Sequence, residues 1–220
     1  MAVQVVCISR TLGALGEQIG SLVAERLSFR YVDEQVIERA ARLAQVDPKL
    51  VEAVEHRQPL LRRLMEKLAA ARDLVGPATA ALALGAPVLG FPESEGCRTT
   101  GEDLRLLIRA AIHELARDGQ AVIVAHAASM TLATRADVLR VLVTASAETR
   151  QRRLVAAQGI APEVAAAGVA AADRSRGDYF RRFYDIAREQ PTHYDLVVNT
   201  DVFTPEQAAE VIACAAQGGS

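Results

Sequence analysis

Arg10, Gly13 and Gly16 stand in the run Ser9-Arg10-Thr11-Leu12-Gly13-Ala14-Leu15-Gly16-Glu17-Gln18-Ile19-Gly20, between an apolar stretch at 3–8 and an amphipathic one at 19–27. Small residues between a strand and a helix let the backbone come close to an anion. The helix N-terminus then aims N–H groups and partial positive charge at the same point, so the chemistry to expect is phosphate binding. The regular loop of this kind reads G-x-x-x-x-G-K-[ST], with Lys on the β/γ-phosphates and the hydroxyl on Mg²⁺. Neither that Lys nor that hydroxyl is present. A glycine turn that merely joins a strand to a helix looks the same locally, so the loop alone leaves both readings open.

A second group of candidates is cationic. Asp173-Arg174-Ser175-Arg176-Gly177-Asp178 with Arg181-Arg182 places guanidinium groups on a predicted mobile helix pair, suited to closing over a polyphosphate and excluding water. The same pattern also describes a solvated helix face. Arg150 and Arg153 follow an apolar run, where they either stack on a base or lie on an amphipathic surface. His56-Arg57, near Glu52 and Glu55, either meets a phosphate or forms surface pairs one helical turn apart. No Ser-His-Asp array is assignable.

The elements that must carry these residues follow from periodicity. Runs at 3–8, 121–125, 138–144 and 196–199 are short and rich in Val or Ile, as buried parallel strands are. Helical patterns at 19–27, 102–118, 148–158 and 205–216 supply the crossovers that parallel strands need. A further short strand is expected at 29–32. The pattern predicts an α/β fold with a doubly wound parallel sheet of about five strands. One domain over 1–220 is expected, with a helical insertion at 34–101, where Asp47-Pro48 and Gln58-Pro59 resemble helix starts.

Composition bounds the partners. The chain has 220 residues, 50% of them hydrophobic, enough for one well-buried domain. A net charge of −2 leaves no overall electrostatic footprint for nucleic acid. Cys7, Cys97 and Cys214 are dispersed and form no C-x-x-C pair, so neither a zinc site nor a disulfide framework is indicated. The start carries no signal-peptide pattern, and a cytoplasmic protein is expected. Residues 74–92 carry no charge but are broken by Pro77, Pro87 and Pro92, with Gly76, Gly85 and Gly90. They are read as a buried helical turn, a flap or a self-association surface making a homo-oligomer, rather than as a membrane span.

Read together, the motifs resemble the cytidylate kinase-like family, a divergent branch of the P-loop nucleoside monophosphate kinases. The resemblance rests on Ile8-Ser9-Arg10, Gly13, Gly16, Ile19-Gly20, Leu22, Ala24-Glu25 and Tyr31-Val32-Asp33. It continues through Val122-Ile123-Val124, the stretch 139–148, Arg152-Arg153, Asp173-Arg174-Ser175-Arg176 with Tyr179, and His193 to Thr200. It implies a P-loop fold with a lid at 159–192, ATP and Mg²⁺, and γ-phosphoryl transfer to a nucleoside monophosphate, CMP or dCMP. It places Arg10, Gly13, Ala14, Gly16, Glu17 and Gln18 around the donor phosphates, and Arg174, Arg176 and Arg181 in the lid. Arg10, Arg174 and Arg176 are the expected catalytic cations, Arg150 belongs with the donor nucleotide, and Asp33 faces the acceptor.

The chain departs from the family pattern in ways that matter chemically. Against the regular loop, Gly16 holds the place of the Lys, which the divergent branch also lacks, Gln18 that of the hydroxyl residue, and Leu15 that of a glycine. Where the divergent branch has an Arg, this chain has Glu17. At an effective dielectric of about 20, exchanging a cation for an anion about 4 Å from phosphate shifts the energy by several kcal/mol. Arg10 is expected to compensate by reaching across the loop. His126 replaces an Arg expected on the acceptor phosphate, and is read either as that ligand or as a hydrogen-bonded strand-end histidine. The alternative to a kinase is a nucleotide-binding regulatory or scaffold protein with a degenerate loop.

Overall fold

The sheet is built around β1 (Val5–Arg10), whose first five residues are fully buried. The computed structural model describes residues 2–33, 101–125 and 128–218, with the backbone alone for 101–107. The described elements continue as α1 (Gly16–Leu27), β2 (Arg30–Asp33), α2 (Gly101–Asp118), β3 (Ala121–Val124), α3 (Ala128–Thr131) and β4 (Val138–Thr144). They end with α4 (Ala147–Gln158), α5 (Pro162–Tyr184), a single 3₁₀ turn (Pro191–His193), β5 (Leu196–Asn199) and α6 (Pro205–Gln217).

All pairings are parallel, and the strand order is β2-β3-β1-β4-β5. The expected α/β sheet of five strands is therefore present, with β1 flanked by β3 and β4. After β1 the chain goes to the β2 edge, returns to β3 and then passes β1 to reach β4. In open sheets the crevice at the carboxyl ends of the strands, where the order reverses, is where ligands lodge. Here that place is the end of β1. The register runs from Val5 opposite Ala121 and Val138 to Arg10 opposite Val143.

Val6, Ile8, Val122, Val124, Val141, Val143 and Val198 meet Ile19, Val23, Ala208, Ala209 and Ile212 in one buried cluster. Near-continuous apolar strands are what two-sided cover demands. Helices α1 and α6 lie side by side there, Arg26 Nε donating to Glu210 at 3.1 Å. Local signals set the helix ends. Ser146 caps α4 by accepting from Thr149 N, and Thr204 with Gln207 forms a capping box ahead of Pro205 on α6. The stretch expected to carry the cationic residues on a helix pair is instead one helix, α5. Its stretch 165–172 is mostly Ala, the strongest helix former, which carries the helix through Gly168 and Gly177.

Two compact units divide the chain, residues 1–34 with 119–220 and residues 35–118, and α2 is the described part of the second. The expected helix starts at Pro48 and Pro59, the pair His56-Arg57, the uncharged segment 74–92, Cys97 and His126 lie outside the described residues. Among the described residues no helix is long and apolar enough to cross a membrane.

Candidate active site

The loop leaving β1 is shaped by its backbone. Thr11 N donates to Val143 O at 3.1 Å, extending the pairing with β4, and Ala14 N donates to Thr11 O at 3.1 Å to close a turn. Gly13 has φ 81°, a conformation that glycine adopts without the Cβ penalty. Leu15 follows in the left-handed region at φ 65°, and no side chain caps α1. The first bond of the helix runs from Ile19 N to Leu15 O, so the N–H groups of Gly16, Glu17 and Gln18 precede the ladder. Three successive donors at a helix N-terminus form an anion cradle.

A clamp from the C-terminal part of the chain holds the floor of this cradle. Arg153 donates to Gly13 O at 3.2 Å, to Thr200 Oγ1 at 2.9 Å and to Thr200 O at 2.7 Å. The Thr200 hydroxyl in turn shares its proton between Ala14 O at 3.3 Å and Thr144 O at 3.2 Å. A β-carbon on Gly13 would also stand 3.0 Å from Arg150 O, so the loop is seated directly on the first turn of α4. Arg150 itself is buried. It donates to Ala145 O at 3.1 Å and grips both oxygens of Asp173 at 2.9 and 2.7 Å, tying α4 to α5.

At the mouth, Arg10 lies across Gly16. A β-carbon at position 16 would come within 2.5 Å of Arg10 Cβ and 2.9 Å of its Cδ. Arg10 Nε donates to the carboxylate of Glu17, which is 55% exposed. The cation, the acidic substitution and the glycine in the place of Lys are thus one local arrangement. Gln18 is exposed beside them, whereas Ala14 is fully buried. Asp33 ends β2 opposite Val124. Burial, then the charges of Asp33 and Glu17, push the Tyr31 phenol up to about 12, which keeps it a neutral hydroxyl beside both carboxylates.

The arginines of α5 that were expected in a lid separate into two kinds. Arg174 is exposed and has no hydrogen bond or ion pair among the described residues, while exposed Arg181 pairs with Asp178 at 3.1 Å. Arg176, expected on the transferring group, is instead buried. Its Nε and one terminal nitrogen hold both oxygens of Glu189 at 2.7 and 2.6 Å. It also donates to Arg10 O at 3.0 Å, to Ser9 Oγ at 2.9 Å and to the Tyr194 hydroxyl at 3.3 Å, and lies 4.8 Å from the Phe180 ring centroid. Burial pushes the Glu189 carboxyl up, but hydrogen bonds and charge from Arg176 outweigh it and hold it below the usual range. Burial and Glu189 raise the Tyr194 phenol, which donates to that carboxylate.

Around the carboxyl end of β1 the structure therefore gathers Arg10, Gly13, Ala14, Gly16, Glu17, Gln18, Arg150 and Arg176. Arg174 and Arg181 stand on the exposed side of α5. Sequence reasoning passed over Glu189 and the roles of Ser9, Tyr194 and Thr200. The one signal available was that Ser9, Tyr194 and Thr200 fall within motifs shared in order with known proteins. Glu189, in an ordinary polar stretch, carried none. Among the described residues no group of three or more His, Cys, Asp or Glu could hold a metal ion.

A family model described as the cytidylate kinase-like family matches residues 5–202. A cytidylate kinase from Ignicoccus hospitalis (strain KIN4/I / DSM 18386 / JCM 14125) is 34% identical over 110 residues, covering 50% of this chain and 63% of that protein. The match thus spans less than two thirds of that relative's length. An uncharacterized protein from Eubacterium ventriosum ATCC 27560 shares the fold at TM-score 0.65 with 12% identity, covering 97% of this chain and 98% of its own.

Proposed function

The chain belongs to the cytidylate kinase-like family, and on that premise we propose that it transfers the γ-phosphoryl group of ATP to a nucleoside monophosphate, CMP or dCMP by family resemblance. The observation that carries this reading is Arg10 laid across Gly16 at the uncapped N-terminus of α1. The stem of Arg10 passes the position from which the usual Lys would project, and its guanidinium is held at Glu17 beside the first helix amides.

Phosphoryl transfer asks for alignment and charge neutralisation more than covalent help. In this reading an acceptor phosphate oxygen attacks the γ-phosphorus, the bond to the β–γ bridging oxygen breaks, and ADP leaves with that electron pair. The N–H groups of Gly16, Glu17 and Gln18 donate to the donor phosphates, and Arg10 turns from Glu17 to the same oxygens. An exposed ion pair contributes about 0.2–1 kcal/mol. A polyphosphate presents more negative charge to the same guanidinium than one half-exposed carboxylate does, so the exchange favours phosphate. Arg174 meets the transferring group, Arg150 supports the donor side through its seat under Gly13, and Asp33 with Arg181 serves the acceptor side. The site fits phosphate because its amides are uncapped and its glycines leave no room for a β-carbon. The nucleotide phosphates and water would hold Mg²⁺, which would supply charge neutralisation, and Gln18 would orient one of those waters.

The ion pair between Arg10 and Glu17 favours a second reading, a nucleotide-binding regulatory protein with little turnover, because it ties up the compensating cation. ADP release measured with CMP, dCMP, UMP and AMP, beside ATP calorimetry, separates the two. Turnover with a monophosphate supports the kinase; ATP binding without turnover on any acceptor overturns it in favour of the second reading.

A further inference from the structure

We infer that Glu189 and Tyr194 are positioning residues for the nucleotide site, acting through Arg176 on the Ser9 hydroxyl and the Arg10 carbonyl. The inference rests on the nucleotide-binding reading above and assigns it a device outside the loop and the lid cations.

The geometry is that of a latch. Arg176 lies on α5, yet its guanidinium reaches the last residues of β1, 166 and 167 positions away in sequence, at Arg10 O and Ser9 Oγ. Its opposite edge is taken by both oxygens of Glu189. Tyr194 donates to the same carboxylate, accepts from Arg176 and sits 3.4 Å from Ser9 Oγ, so the four residues form a closed ring of hydrogen bonds. The Arg176 side chain is 7% exposed and the Glu189 side chain 20%. A guanidinium so engaged holds structure in place and has little left with which to grip a phosphoryl group.

The position of the ring says what it holds. Arg10 O is the carbonyl at the point where β1 gives way to the loop, and the side chain of the same residue lies over Gly16. Fixing that carbonyl fixes the direction in which the Arg10 side chain leaves the strand. Apolar packing would have filled the volume without the desolvation cost of a buried ion pair, so orientation is the return. A planar fork that meets carboxylate, hydroxyl and carbonyl at once supplies orientation in a way that an ammonium cannot.

The test uses the full chain with Glu189→Gln and, as the milder variant, Tyr194→Phe, each checked by thermal melting. Hydrogen exchange of the loop amides and ATP·Mg²⁺ affinity are read in each, alone and combined with Arg10→Met. Faster exchange across residues 10–16 with α6 unchanged is expected, as is affinity lowered about 10- to 100-fold in Glu189→Gln. Neither variant should weaken affinity further once Arg10 is gone. Unchanged loop exchange, or losses that multiply with Arg10→Met, would overturn the latch. If Glu189→Gln does not fold, Tyr194→Phe decides by the same two readouts. Loop exchange needs no nucleotide, so a wild-type protein that ignores ATP sinks the nucleotide reading while the latch is still judged. Normal ATP turnover with undisturbed loop exchange in both variants sinks the latch alone.

Discussion

Arg10 and Gly16 claim the same volume: the side chain of one lies where a β-carbon on the other would stand, at 2.5 Å. With Arg10 in this position, the volume that a Lys side chain would enter at position 16 is already taken. Restoring the regular loop residue is expected to damage the site. Gly16→Lys should cost about 1–3 kcal/mol by overpacking and lower ATP affinity, because Arg10 must leave first. Denaturant unfolding and calorimetry check both; a Gly16→Lys protein that binds ATP more tightly at unchanged stability would mean that Arg10 does not serve the phosphates.

Removing the cation should be far more costly than removing its counter-ion. Arg10→Met is expected to lower kcat about 10²- to 10³-fold, the scale of losing one preorganised charge-stabilising donor. Glu17→Gln should leave kcat within a few-fold and tighten ATP slightly, with the gain fading at high salt because the pair is exposed. Steady-state kinetics at low and high ionic strength distinguishes these outcomes.

Arg174 and Arg150 should part company when activity and stability are compared. Arg174→Ala is expected to leave stability within about 0.5 kcal/mol while reducing kcat, since the residue is exposed and engages nothing among the described residues. Asp173→Asn strands the buried Arg150 and should destabilise by about 1–3 kcal/mol, a range that allows for the partial exposure of Asp173. Urea midpoints measured beside turnover give both quantities.

Acid should loosen the protein through its depressed carboxylates. Burial pushes Glu189 and Asp195 up, but Arg176 and Arg140 respectively outweigh it, and Arg135 holds Asp137 down. All three bind protons more readily when unfolded. Their stabilisation is therefore complete above the ordinary carboxylate range, at about pH 4, and is lost as pH falls through the lower native values. Glu189→Gln should flatten part of the acid limb of stability against pH. An unchanged limb would mean that Glu189 titrates alike folded and unfolded.

At the alkaline end a buried thiol adds to the effect of the raised Tyr31 and Tyr194 phenols. Burial raises Cys7 from 9.0 to about 12, so the unfolded chain ionises first. Stability is whole below about 9 and falls as pH rises toward about 12. Cys7→Ala should be less stable at neutral pH, because it leaves a cavity in the central strand, yet lose less on going from pH 8 to pH 11. Chemical denaturation at the two pH values tests this.

The parts of the fold legible in the sequence were those carried by local pattern. β4 and β5 fall at the residues expected, 138–144 and 196–199, because apolar runs with polar ends mark them. β1 was expected at 3–8 and lies at Val5–Arg10. Ser9 and Arg10 are polar, and only their pairing with Leu142 and Val143 makes them strand. α1 starts three residues before its apolar period because Gly16, Glu17 and Gln18 carry none of that period. In the candidate site, the tight turn of the loop could be read from Gly13 and Gly16. The engagement of Arg176 could not, because its partners are set by tertiary approach rather than by spacing along the chain.

The clamp beneath the loop has a consequence for the order of assembly. Gly13 O and Ala14 O are held from Arg153 and Thr200, so the cradle is complete only when β4, α4 and the end of β5 have docked on a strand made long before them. Such distant closure is slow relative to local helix formation. A chain halted short of Thr200 would contain every glycine of the loop and still have nothing to rest it on.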